Sequence, residues 1–134
     1  VDVVLGAAVG GILLSHAAAA ELDTQGIFAE RVNGNLSLRR GFDLSKGDSV
    51  LIVEDIFDSG LTLQFLERIL QSRNVASLKT CVLTQKEGKK NPEIKIDYLG
   101  FTIPDVWVVG YGLDYADKHR TLPYIAELKP EVYH

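Results

Sequence analysis

The sequence predicts an α/β domain with a mostly parallel central sheet flanked by helices. Short apolar runs rich in β-branched residues alternate with helical patterns through residue 84. The helical stretches are long enough to act as right-handed crossovers between parallel strands. The chain has 134 residues, 46% of them hydrophobic and 24% charged, which suits a single domain, 1–134, able to bury a core without staples.

Taken in order, Val1 to Leu5 reads as a buried strand, and Ile12 to Leu22, rich in Ala and Leu, as a helix. Gly26 to Val32 reads as strand. The Asn33-Gly34 pair signals a tight hairpin whose return strand is Leu36 to Arg40. Ser49 to Val53 is the clearest buried strand. Leu61 to Gln71 carries apolar residues at 61, 63, 65, 66, 69 and 70, a helical stripe. Ser77 to Thr84 is the next strand, and a charged loop from Lys86 closes at Pro92. Ile94 to Phe101, Asp105 to Val109 and Tyr124 to Leu128 complete the reading, the closing section being antiparallel in character.

Composition removes several function classes. A net charge of −4 argues against a general nucleic-acid surface. No apolar stretch reaches membrane-spanning length, since the run from Gly10 to Ala20 is short and broken by Ser15 and His16. The start shows no basic leader of a signal peptide, so a cytoplasmic setting is expected. The lone Cys81 excludes an internal disulfide framework, and its strand-like surroundings suggest a buried, inert thiol. The chain contains no Met, so Val1 is expected not to be the natural start.

The chemistry concentrates in Val50-Leu-Ile-Val-Glu-Asp-Ile-Phe-Asp-Ser-Gly-Leu-Thr62. In an open parallel sheet, ligands sit where strands end and helices begin. Asp58-Ser59-Gly60-Leu61-Thr62 offers free backbone N–H groups, a Gly that permits a close turn, two hydroxyls and a helix N-terminus, a combination suited to phosphate. The Walker spacing is absent. Glu54 and Asp55 do not suit phosphate; they suit the hydroxyls of a ribose diol, or Mg²⁺. The plainer alternative is a capped helix beside a solvated strand end.

This segment resembles the phosphoribosyl pyrophosphate signature of type I phosphoribosyltransferases. From about Gly47 onward the chain is similar to hypoxanthine-guanine phosphoribosyltransferases, through Tyr98-Leu-Gly-Phe-Thr-Ile-Pro-Asp105, Val108-Val-Gly-Tyr-Gly-Leu-Asp-Tyr115 and Leu122-Pro-Tyr-Ile125. Residues 1–44, with Val3-Val-Leu-Gly-Ala-Ala-Val-Gly-Gly-Ile12, Ile27-Phe-Ala-Glu-Arg31 and Leu38-Arg-Arg-Gly-Phe42, resemble orotate phosphoribosyltransferases more. The chain thus reads as a hybrid of two relatives, without the N-terminal segment both usually carry.

The resemblance implies the type I phosphoribosyltransferase fold with a small C-terminal hood. It implies transfer of phosphoribosyl from phosphoribosyl pyrophosphate to a purine base. The products would be a nucleoside monophosphate and pyrophosphate, with Mg²⁺ as cofactor and a homo-oligomer as the usual state. Residue by residue, Asp58 to Thr62 match the 5′-phosphate loop, and Glu54 and Asp55 the ribose and metal side. Asp58 matches an acid acting on purine N7, as a base or by electrostatic stabilisation, the latter favoured by an ordinary Asp pKa of about 3.9.

Lys86 matches a donor to the purine 6-oxo group, Trp107 a ring that stacks on the base, and Val108 a backbone contact. Asp114 matches a metal-side acid. Gly6, Ala7, Arg31 and Arg120 match pyrophosphate contacts. Without the resemblance, Lys86 is one more loop charge, Trp107 a core aromatic, and Asp114 with Arg120 a surface salt bridge. Arg39-Arg40 reads equally as a pyrophosphate contact or a solvated strand end. The first loop lacks the Lys-Gly pair, and the flexible loop the Ser-Tyr pair, of purine relatives. Orotate transfer and a non-catalytic nucleotide-binding module are therefore the alternatives.

Overall fold

A computed structural model describes every residue except those at 39, 41, 43 and 134, so Arg39 and His134 lie outside the described residues. The elements are β1 (Val3–Ala7), α1 (Gly10–Glu21), β2 (Gln25–Val32), β3 (Asn35–Leu38), β4 (Ser49–Phe57), α2 (Leu61–Ser72), β5 (Ser77–Lys86), β6 (Tyr98–Ile103), β7 (Val108–Val109) and β8 (Ala126–Glu127). A 3-10 turn at Pro130–Val132 follows.

Among the described residues the main sheet has six strands in the order β3-β2-β1-β4-β5-β6. β1 pairs in parallel with both β2 and β4, and β5 in parallel with both β4 and β6. The Asn33-Gly34 turn joins β2 to its antiparallel partner β3, with positive φ at both residues, as the dipeptide predicts. β7 and β8 form a separate antiparallel ribbon.

Alternation along the strands divides the core into two layers. Val3, Leu5, Val50, Ile52 and Val82 pack with Leu63, Leu66 and Leu70 of α2. Val4, Leu51 and Val53 pack with Ala19 of α1 on the other face. A parallel sheet covered on both faces explains the near-continuous apolar runs that mark β1 and β4. α1 lies very close to the sheet because its contact residues are small. Gly11 sits so near β4 that an added Cβ would stand 3.3 Å from the Val53 carbonyl.

Several expectations are corrected. β4 does not stop at Val53 but continues through Glu54, Asp55 and Phe57, so the acid pair belongs to the strand and not to the loop after it. Its backbone there is still paired with β5, through Glu54 beside Val82 and Ile56 beside Thr84. β6 starts at Tyr98, because Ile94 and Ile96 pack against the core from the connecting loop instead. It is parallel to β5, so the antiparallel character of the closing section is confined to β7 and β8. The return strand β3 ends at Leu38, and α1 begins at Gly10 rather than Ile12.

Candidate active site

The C-terminal ends of β1, β2, β4 and β5 meet on one side of the sheet. Glu54 and Asp55 are both buried there, with 7% and 8% of their surface exposed. The Asp55 backbone N–H donates to Glu54 Oε1 at 3.3 Å, and the Ile56 N–H to Asp55 Oδ1 at 2.8 Å. The Thr84 hydroxyl donates to the Asp55 carbonyl at 2.8 Å, tying the pair to β5. Glu54 Oε2 is buried without a hydrogen-bond partner. A buried carboxyl oxygen in that state calls for a water, an ion or a ligand group as its partner.

Burial pushes the Glu54 carboxyl well above its usual range, the Asp55 carboxyl beside it adds to the effect, and Arg31 opposes it. Ionising Glu54 therefore costs the folded state more than the unfolded chain. Stability must fall as pH rises from the ordinary carboxylate range toward the raised native value. Glu54→Gln removes that fall. Its denaturation midpoint should gain on the parent's as pH rises from about 4 to about 8, and parallel curves would refute the burial argument.

Asp58, Ser59 and Gly60 form the turn between β4 and α2. Gly60 has φ 78°, a left-handed conformation that lets the chain enter the helix sharply. The Leu61 N–H donates to Ser59 Oγ at 3.4 Å. Residues Glu54 to Leu63 line a cleft of about 230 Å³, which places the acid pair, the turn and the first turn of α2 around one space. The N–H groups at the start of that helix, with its dipole, favour an anion there.

Two lysines converge on Asp58. Lys86, the last residue of β5, brings Nζ to 3.7 Å from Asp58 Oδ2, 3.2 Å from Asp105 Oδ1 and 5.9 Å from the Trp107 ring centroid. Trp107 is 49% exposed, so it is not a core aromatic. It packs edge-on against Tyr115 with centroids 5.6 Å apart. Val108 follows it into β7 and is buried. Asp58, Lys86 and Trp107 thus lie close together, and Val108 follows Trp107 in the chain.

The remaining candidates are placed less simply. Gly6 and Ala7 lie inside β1 and are buried, while the residues that reach open space are Ala8 and Val9. These line a second cleft of about 370 Å³ with Ile12, Phe28, Arg31 and Arg40. The Ala8–Val9 peptide bond is cis. Arg40 pairs with Glu30. Arg120 is held by Asp114 at 3.2 Å and Asp117 at 3.3 Å, and donates to the Gly112 carbonyl at 2.7 Å.

That loop docks on the start of α1. A Cβ on Gly112 would meet the Gly10 carbonyl at 2.6 Å, and one on Gly10 would run into the Asp55 carboxylate. Among the described residues no group of three or more His, Cys, Asp or Glu side chains is arranged to hold a metal. Glu54, Asp55 and Asp114 therefore do not form a single protein-built cage. Cys81 is half-buried, and burial pushes its thiol pKa up, which fits an inert thiol.

Sequence reasoning missed Lys89, Asp105 and Asn91. Lys89 Nζ lies 3.4 Å from Asp58 and 3.5 Å from Asp105, and Asn91 donates to the Ser59 carbonyl at 3.4 Å. The density of charge after Lys86 signalled Lys89, while Asp105 closes the stretch 98–105 and Asn91 had no signal.

The phosphoribosyl transferase domain model matches residues 1–116. The chain belongs to the phosphoribosyltransferase family. This phosphoribosyltransferase domain is 46% identical over 102 residues to the hypoxanthine-guanine phosphoribosyltransferase of Bacillus subtilis, covering 75% of the chain and 57% of that protein. It is 51% identical over 88 residues to the Dictyostelium discoideum protein of the same name, covering 66% and 49%. The chain thus spans roughly half the length of these relatives.

Among solved structures, a hypoxanthine phosphoribosyltransferase from Staphylococcus aureus superposes with TM-score 0.85 at 36% identity, over 98% of this chain and 78% of that one. The Trypanosoma cruzi hypoxanthine phosphoribosyltransferase, solved with the product IMP, also gives 0.85, at 34% identity, over 98% and 72%. These superpositions include the N-terminal strands, so β1, α1 and β2 need no second parent. The orotate-like reading of residues 1–44, and with it the hybrid, draws no support from these matches.

Proposed function

We propose that this domain, acting as one unit over residues 1–134, transfers phosphoribosyl from phosphoribosyl pyrophosphate to a 6-oxopurine. The products are the nucleoside 5′-monophosphate and pyrophosphate, in cytoplasmic purine salvage. The single observation that carries this is the meeting of Asp58 with Lys86 and Trp107 beside the Glu54–Leu63 cleft. A sugar-phosphate site and a base site then share one carboxylate. Similarity to proteins named hypoxanthine-guanine phosphoribosyltransferase supports the same substrates.

The roles follow from the geometry. Ser59, Gly60, Leu61 and Thr62 hold the 5′-phosphate through amides and hydroxyls. Glu54 and Asp55 accept hydrogen bonds from the ribose hydroxyls, the orphaned Glu54 oxygen being the first to gain. Lys86 donates to the 6-oxo group, Trp107 stacks on the base and the Val108 backbone meets its edge. Gly6 and Ala7 shape the strand end behind the Ala8–Val9 loop, where Arg31 faces the pyrophosphate. Arg120, held by Asp114 and Asp117, is assigned to the pyrophosphate as well.

The donor set fits Mg²⁺, since that ion usually takes one or two carboxylates and completes its shell with water and substrate phosphates. Glu54 and Asp55 would hold it, with Asp114 reached only through water or substrate, and it would neutralise charge developing on the leaving pyrophosphate. A homo-oligomer is the expected assembly. No helix among the described residues is long and apolar enough to cross a membrane.

The direct test is nucleotide formation from phosphoribosyl pyrophosphate with hypoxanthine, guanine, xanthine, adenine and orotate in turn. A preference for orotate would overturn the base assignment, and binding without transfer would make the domain a sensor. The cradle has its own test. Thr62→Val and Ser59→Ala each remove a hydroxyl and should weaken nucleoside 5′-monophosphate binding by about 10- to 150-fold, the range of a hydrogen bond to a charged group. Titration calorimetry reads this, and unchanged affinity in both folded variants would remove the assignment.

A further inference from the structure

The base side of the cleft holds a closed ring of alternating charge. Lys86 Nζ contacts Asp58 Oδ2 at 3.7 Å and Asp105 Oδ1 at 3.2 Å. Lys89 Nζ contacts the other oxygen of each, Asp58 Oδ1 at 3.4 Å and Asp105 Oδ2 at 3.5 Å. Both oxygens of Asp58 are therefore engaged. Each oxygen can still accept a second donor, but a ligand donor that uses the position Lys89 holds must take its place.

The two lysines differ in freedom. The Lys86 side chain is 14% exposed, leaves the end of a paired strand and lies near Trp107. The Lys89 side chain is 39% exposed and follows Gly88, which has φ 74° and open space where a side chain would stand. Lys89 is the one that can leave. Asp105, on the short connection from β6 to β7, can keep it as it goes.

We propose that Lys89 is a latch on the base subsite, holding Asp58 while no base is bound and yielding that carboxylate to the N7–H of an incoming 6-oxopurine. This rests on the reading of Asp58 and Lys86 as base contacts. No covalent step is involved. Lys89 acts through Asp58 and is a positioning residue. Base binding that takes the position of Lys89 displaces that contact, so apparent base affinity is lowered by the fraction of sites that are latched.

The test is steady-state transfer to hypoxanthine at saturating phosphoribosyl pyrophosphate, for the parent, Lys89→Ala and Lys89→Arg. Lys89→Ala should lower KM for hypoxanthine by about threefold to fivefold, the scale of partly exposed ion pairs, with kcat within about twofold. Lys89→Arg should restore the parent KM. Added salt should narrow the gap between the parent and Lys89→Ala, because it screens the contact that Lys89 makes. An unchanged or raised KM in Lys89→Ala, or a gap that persists in high salt, overturns the latch alone. A parent chain that forms no nucleotide from hypoxanthine overturns the functional reading and the latch with it.

Discussion

Asp58→Asn is expected to slow phosphoribosyl transfer by about 10- to 100-fold while leaving nucleoside 5′-monophosphate affinity within about twofold, a loss that reaches only the lower limit of what a positioned base supplies. The residue stands at the one point where the phosphate turn and the base side touch, immediately after β4 and within reach of Lys86. As the glycosidic bond forms, positive charge builds on the purine. A fixed carboxylate stabilises that charge or takes the N7 proton. Asn keeps the size and the turn but removes the charge, so binding and rate should separate. A normal rate in single-turnover measurements would reduce Asp58 to a turn residue.

The second large effect concerns Lys86. A buried donor built for a 6-oxo group rejects a base that offers another donor, because both are then left unsatisfied. Adenine carries an amino group at that position and would face the Lys86 ammonium donor to donor. The parent should prefer hypoxanthine over adenine by about 100-fold or more in kcat/KM, with orotate undetectable. Lys86→Ala should collapse that preference to within about tenfold, mostly by losing hypoxanthine rather than gaining adenine. A preference that survives the substitution would place recognition on the Trp107–Val108 backbone instead.

The strand–turn–helix unit that carries the candidate site was legible in the sequence because its parts are contiguous. Strand, acids, small turn and helix follow one another from Ser49 to Ser72, and each has a local signature. The Asn33-Gly34 hairpin was legible for the same reason. The reach of β4 was not, since two adjacent acids look like a strand end and only the pairing to β5 shows otherwise. Lys89 and Asp105 were invisible as a pair because nothing local relates them. They meet because β5 and β6 run in parallel and deliver their following loops to the same end of the sheet. The docking of Gly112 on Gly10 is a contact between distant segments and leaves no periodic trace either.

The strand order places β1 at the centre, with Val3 beside both Gln25 and Val50. That arrangement sets the tempo of folding. The β2–β3 hairpin closes locally and can form within about 1 to 10 μs. The β1–β4 pairing must first close a long loop, which is the kind of contact that slows folding toward milliseconds or seconds. The turn at 58–60 hangs from the end of β4, so its shape depends on that long-range pairing. A nucleotide that recognises the finished turn then binds the native chain alone, and its concentration becomes a lever on how much of the population is folded.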